Sequence, residues 1–243
     1  PLEKGREEGF ATSSLIFPGL VRLVYYGADI RNGKPGLRIS QDLKSTETGS
    51  APCFQSFRFG LFGVTMRLLE CVPNISEGRD QEKIASIAAE VKKHRKVKLL
   101  DYSSDKDHHR SVFTFVGEPE AIQEAAFAFT LKALDLIDMR EHKGGHPRLG
   151  AVDVVPFVPI HGVKMEEAVQ IAREFGKGLG KRGIPVFFYE EAATRPERKD
   201  LPSIRKGEYE GLAEKLKNPA WKPDEGPDDF DPKYGATVVG ARF

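Results

Sequence analysis

The chain has 243 residues, 40% hydrophobic and 30% charged, with a formal net charge of +1. That balance describes an ordinary folded protein and argues against a nucleic-acid binder or an acidic tail, and no apolar run approaches the ~20 residues of a membrane helix. The two cysteines, Cys53 and Cys71, are too few for a disulfide framework and point to a reducing, cytoplasmic setting.

Residues 1–65 read unlike the rest. They begin at Pro1, and 30–65 scatter Gly, Ser, Thr and Arg without helical or strand period. The apolar stretch 14–26 has the length of a signal-peptide core, but Arg22 interrupts it and no small-residue cleavage site follows. The first methionine is Met66, and regular patterning begins immediately after it. Residues 1–65 are therefore expected to be an N-terminal extension, disordered or non-native, and 66–243 the folded domain.

From Met66 onward strand and helix patterns alternate. A first strand over 68–72 ends at Pro73-Asn74, and Ile84, Ile87, Ala88 and Val91 give helical spacing over 81–94. A strand over 97–102, a polar loop over 103–109 and a strand over 111–116 follow. Pro119 opens a long helix to about 139, with Ile122, Ala126, Phe129, Ala133 and Ile137 as its buried stripe. Val152 to Val158 reads as a mostly buried strand. Met165, Ala168, Val169, Ala172, Phe175 and Leu179 mark another helix, which Gly176, Gly178, Gly180 and Gly183 weaken and end. A strand over 184–189, a short helix over 208–217, a Pro/Gly-rich loop over 219–235 and a last strand over 236–239 complete the pattern. The alternation predicts an α/β (α+β sandwich) fold, a mixed β-sheet with helices packed on one face.

The stretch from His142 to Pro159 organises the chemistry. Gly144-Gly145 permits a tight loop, Pro147 stiffens it, and His146 and Arg148 stand on it at a sheet edge, where α/β proteins hold small molecules. An imidazole takes and returns a proton near neutral pH, so His146 is the leading acid/base candidate; a loop histidine bonded to backbone is the bland alternative. Arg110 and Arg148 suit carboxylate recognition. Asp153 interrupts an apolar strand, and a buried carboxylate needs a partner: a histidine to orient or a cationic substrate group. A metal cluster of His108, His109, His142 and His146 is disfavoured, because Gly144, Gly145 and Pro147 break the helix that ligand spacing would need. The glycines at 176, 178 and 180 sit at a helix end and make a poor dinucleotide fingerprint.

Several motifs now point to a family. Glu70-Cys71-Val72-Pro73-Asn74-Ile75-Ser76-Glu77-Gly78 resembles the opening motif of glutamate formimidoyltransferases, folate enzymes of histidine breakdown. Arg110-Ser111-Val112-Phe113-Thr114-Phe115-Val116-Gly117, Ile137-Asp138-Met139 and the run from His146 to Val154 are similar to that family as well. So is the loop Gly226, Pro227, Asp228, Asp229, Phe230, Asp231, Pro232, Lys233, Tyr234, Gly235 with the Gly-Ala-Thr-Val-Val-Gly-Ala-Arg that ends it. The resemblance covers essentially all of 66–243 and none of 1–65.

The resemblance implies a transferase of two α/β subdomains with folate in the groove between them. This chain looks like the first, with the second expected just after Phe243. It implies tetrahydrofolate as co-substrate, N-formimino-L-glutamate as donor, no metal, a homodimer, His146 as acid/base, and residues 226–235 as a folate-contacting loop. The departures are Gly145, where many relatives carry Glu, and His109, where many carry Asn. The expected reaction is formimino transfer from N-formimino-L-glutamate to N5 of tetrahydrofolate. Its alternatives are formyl transfer between 5-formyltetrahydrofolate and glutamate, or a non-catalytic folate-binding fragment.

Overall fold

The structure is a computed structural model. It describes residues 66–243 together with two four-residue strands within the first 65 residues. The chain divides into two compact units, residues 1–61 and 62–243. In the first, β1 (Ser13–Ile16) and β2 (Arg22–Tyr25) pair antiparallel. The remainder of 1–65, and with it the expectation of an extension there, lies outside the described residues.

The second unit is built on a mixed sheet. Its first two strands, β3 (Leu68–Cys71) and β4 (Asn74–Ile75), are halves of one line broken at Val72-Pro73. Pro73 has no N–H to give a ladder. The interruption is bridged by Val72 N–H donating to Pro156 O at 3.2 Å and Phe113 N–H donating to Pro73 O at 3.0 Å. Both halves lie between β6 (Arg110–Gly117) and β7 (Val152–His161), antiparallel to each. β5 (Val97–Asp105) pairs antiparallel with β6. On the other side β7, β9 (Thr237–Ala241) and β8 (Val186–Glu190) run parallel, with β9 in the middle.

Three long helices, α1 (Gln81–Lys92), α2 (Pro119–Leu136) and α3 (Met165–Gly180), cover one face. Asp80 starts α1 by accepting from the N–H groups of Glu82 and Lys83. Alternation decides which strand residues meet the helices: Phe113, Phe115, Val155 and Phe157 point into this core. Phe113 meets Phe129 edge-on at 4.9 Å, and Phe157 meets Phe175 at 5.4 Å. Each fully buried Phe contributes roughly 2–3 kcal/mol by area. The alternate residues Val154, Phe187 and Val238 face the other way, into a second core closed by α4 (Leu201–Arg205) and α5 (Leu212–Lys217).

Some boundaries differ from the sequence reading. β5 runs on into the stretch read as a polar loop, as far as Asp105, because Ser103, Ser104 and Asp105 are held by pairing with β6 while their side chains stay exposed. The helix expected over 208–217 starts only at Leu212, and α4 precedes it. The glycines of α3 lie within the helix. A Cβ at Gly176 would meet the Phe188 ring at 2.5 Å, and one at Gly180 would meet Gly226 N at 2.6 Å. Their absent side chains let the helix lie close to the sheet and to the 226 loop.

Candidate functional site

The Ser76-Glu77-Gly78 turn after β4 clasps two neighbouring loops. Ser76 Oγ donates to Gly150 O at 2.7 Å, and Ser111 Oγ donates to Glu77 O. Glu77 Oε1 accepts from Arg79 N–H at 2.8 Å and Asp80 N–H at 3.0 Å. Gly78 cannot carry a side chain, since a Cβ would stand 2.1 Å from Asp105 O. The β5–β6 turn and the 142–148 loop abut in the same way: Gly145 N–H donates to Asp107 O at 3.2 Å, and a Cβ at Gly144 would lie 2.4 Å from His108 O. A Cβ at Gly145 would find its nearest neighbour, Asp107 O, at 3.9 Å, so a side chain there meets no steric bar.

These loops line a tight cleft, too narrow to admit a water molecule, that includes Arg110, His146 and Asp153. His146 is half-buried, among polar groups. Its Nε2 faces Arg110 Nη1. A guanidinium only donates, so Nε2 is the accepting, unprotonated nitrogen. Burial first, then Arg110 and Arg205, push the imidazole down to about 4, against a smaller opposing pull from the Pro147 backbone. The ring is therefore neutral at ordinary pH.

Asp153 is fully buried. Its Oδ1 accepts from Leu149 N–H at 3.0 Å, and its Oδ2 accepts from Arg205 Nη2. Burial raises its carboxyl above the usual range, while Arg205, the Leu149 N–H and Arg110 oppose that shift. Neither oxygen of Asp153 is hydrogen-bonded to a histidine. Its partner is a residue that sequence reasoning missed, although a lone carboxylate in an apolar strand announces that a cation must exist somewhere.

Arg148 is also buried, and its guanidinium is engaged by protein carboxylates. Nη2 donates to Glu210 Oε1 at 2.6 Å, Nη1 to Glu208 Oε2 at 3.2 Å, and Nε to His142 Nδ1 at 3.2 Å. That last bond fixes the tautomer of His142: Nδ1 accepts from Arg148, so the proton sits on Nε2, which donates to His109 O at 2.8 Å. Burial holds His142 below the ordinary histidine range. The His142 ring stacks on His109, with centroids 4.3 Å apart. His109 itself faces two acceptors, Lys143 O at 3.1 Å and Glu77 Oε1 at 3.0 Å. With these nitrogens committed, no group of three or more His, Cys, Asp or Glu residues among the described ones is arranged around a metal ion.

The 226–235 loop joins this region at one end. Ala151 N–H donates to Tyr234 O at 2.9 Å, Ala236 N–H to Leu149 O at 3.1 Å, and Met139 N–H to Lys233 O at 3.0 Å. Gly235 takes φ +69°, and a Cβ there would meet Leu149 O at 2.1 Å, so this crossing requires glycine. Lys233 Nζ lies 5.1 Å from the Tyr234 ring centre, and Phe230 packs 5.4 Å from Tyr209. Asp231 accepts from Lys233 N–H at 2.8 Å. Gly226, Asp228, Asp229 and Pro232 are exposed, and Pro227 is half-buried. The loop does not reach the cleft around His146. A wider depression of about 510 Å³ lies between Ser203, Lys215 and Trp221. Its half-buried cation, Lys215, donates to Lys206 O at 3.1 Å and rests 4.0 Å from the Trp221 ring.

Residues 68–242 match the family model for the formiminotransferase domain, N-terminal subdomain. A formimidoyltransferase-cyclodeaminase of Dictyostelium discoideum is 52% identical over 177 residues, 72% of this chain and 33% of that protein. A glutamate formimidoyltransferase of Streptococcus pyogenes serotype M1 is 49% identical over 178 residues, 73% of this chain and 60% of that protein. One of the same name from Thermoplasma acidophilum is 48% identical over 180 residues, 73% of this chain and 59% of that protein. The matched stretch thus spans between a third and three-fifths of these relatives. The chain belongs to the formiminotransferase family, and its residues 68–242 are that family's N-terminal subdomain.

Proposed function

We propose that the complete protein transfers the formimino group of N-formimino-L-glutamate to N5 of tetrahydrofolate, and that this chain supplies the proton-carrying imidazole. The observation that carries the reading is a neutral, half-buried His146 with Nε2 as an accepting nitrogen at the cleft. The names of the relatives support the donor and the reaction type. N5 attacks the amidine carbon and gives a tetrahedral adduct. His146 Nε2 takes the N5 proton and returns it to the glutamate nitrogen, whose bond to carbon then breaks. Protons balance with one imidazole in both roles.

Arg110 fits the substrate carboxylate better than Arg148 does. Arg148 already holds Glu208 and Glu210, whereas Arg110 rests on a neutral ring that an anion readily replaces. A carboxylate that draws Arg110 aside exposes Nε2, weakens the repulsion on His146 and raises it toward the working range. Residues 226–235, with Lys233 and Tyr234, form the folate-contacting loop of this reading, and a second subdomain completes the groove. The test is His146→Ala in the full-length protein. Transfer should slow by about 10²–10⁴-fold while folate still binds, the range for losing a general acid–base. Undiminished turnover removes His146 from the mechanism.

A further inference from the structure

Two arginines compete for one buried carboxylate beside His146. Asp153 is 2% exposed, and both of its oxygens are taken, Oδ1 by Leu149 N–H and Oδ2 by Arg205 Nη2. Arg110 is the loser in this contest. Asp153 attracts it and Arg205 repels it, and its guanidinium rests on the neutral ring of His146 instead. A guanidinium next to a buried carboxylate ordinarily prefers that carboxylate to an imidazole. Arg205 is not merely neutralising Asp153 either. It reaches the carboxylate through Nη2 alone, and its buried Nε has no hydrogen-bond partner, so the pair is not a closed bidentate unit.

We propose that Arg205, at the end of α4, is a positioning residue for His146: by occupying Asp153 it denies that carboxylate to Arg110 and keeps the Arg110 guanidinium on His146 Nε2. The charged and titratable groups around the ring come from every neighbouring element. His108 belongs to the β5–β6 turn, Arg110 to β6 and Arg205 to α4, while Asp153 of β7 and Asp105 of β5 act on Arg110. α4 was the element the helical periodicity did not reveal, and it brings a charge from more than fifty residues away to the loop that carries the imidazole. The bearing of this arrangement on catalysis rests on the transfer reading above; the coupling of Arg205 to His146 does not.

The test is a titration of the His146 ring by nitrogen and carbon NMR, read on the 243-residue chain. In Arg205→Met, Arg110 is free to turn to Asp153. Repulsion at His146 then falls twice over, and its midpoint should rise from about 4 toward 6.5 by about half a unit or more. Arg205→Lys, which keeps the cation on Asp153, should leave the midpoint near its original place. Should Arg205→Met fail to fold because Asp153 is left unpaired, Arg205→Gln, which keeps an amide donor for Asp153 but carries no charge, leaves the carboxylate's charge to Arg110 and should still show an upward midpoint. An unmoved His146 midpoint in whichever of these two variants folds overturns the proposal, as does a rise of the same size in Arg205→Lys. In the full-length protein the acid limb of kcat/KM should move upward with Arg205→Met. A shifted ring in a protein without transfer activity would sink the reaction assigned here and leave the positioning role standing.

Discussion

Arg148 is held on three sides. Its side chain is 7% exposed, Glu208 and Glu210 take its fork, and His142 accepts from its Nε. Together these bonds tie the loop that carries His146 to the segment between α4 and α5. Arg148→Met keeps the packing of the stem and removes the fork. Both glutamates are partly exposed and rehydrate, so the expected cost is about 1–3 kcal/mol, the scale of charge-assisted hydrogen bonds. Urea unfolding measures it; a loss below about 0.5 kcal/mol would mean that solvent already screens the fork. The residue types on this loop were readable beforehand, because glycines, a proline, an imidazole and a guanidinium in nine residues are an uncommon set. What each one touches was not. Nothing between Arg148 and Glu210 hints that a chain reversal sixty residues later will bring those carboxylates home. His109 illustrates the same gap. It stands in the left-handed region at φ +50°, where Asn, Asp and His are the non-glycine residues most at ease, and its ring adds a stack on His142 that no local pattern announces.

α3 shows how an element is shaped by what lies against it. By propensity alone Gly180→Ala should favour the helix by about 1 kcal/mol. A methyl there would stand 2.6 Å from Gly226 N and 2.9 Å from Glu225 Cβ. Backbone must move, and overpacking of this kind costs about 1–3 kcal/mol. The variant should therefore be destabilised, with the 224–228 segment displaced; calorimetry together with the amide spectrum of that segment checks both. The three long helices and β7 were legible because each repeats its apolar positions over several turns or residues. α4 escaped because it has five residues, begins beside Pro202 and buries only Ile204. The last three residues of β5 escaped because they are polar and exposed, and only pairing with β6 makes them strand.

At the scale of the whole molecule, acid should weaken the fold. His146 lies at about 4 in the folded state against 6.5 ordinarily, and burial lowers His142 as well. Between those values the unfolded chain binds protons that the folded one refuses, so stability falls as pH drops from about 6.5 to 4 and is fully present above that window. The urea midpoint should decline from pH 7 to pH 5, and decline less in His146→Gln, which has no such proton to take up. The same scale holds one further consequence. β9 is the last strand in the chain, yet it is threaded between β7 and β8, and β3–β4, the earliest strand line of this unit, is threaded between β6 and β7. Both ends of the matched stretch are thus interior. During synthesis β7 and β8 must wait side by side, with an unfilled slot and raw amide edges, until the final five residues of strand emerge to zip them. A ribosome that stalls before Thr237 leaves β7 and β8 each with an unpaired rim that β9 covers in the finished sheet.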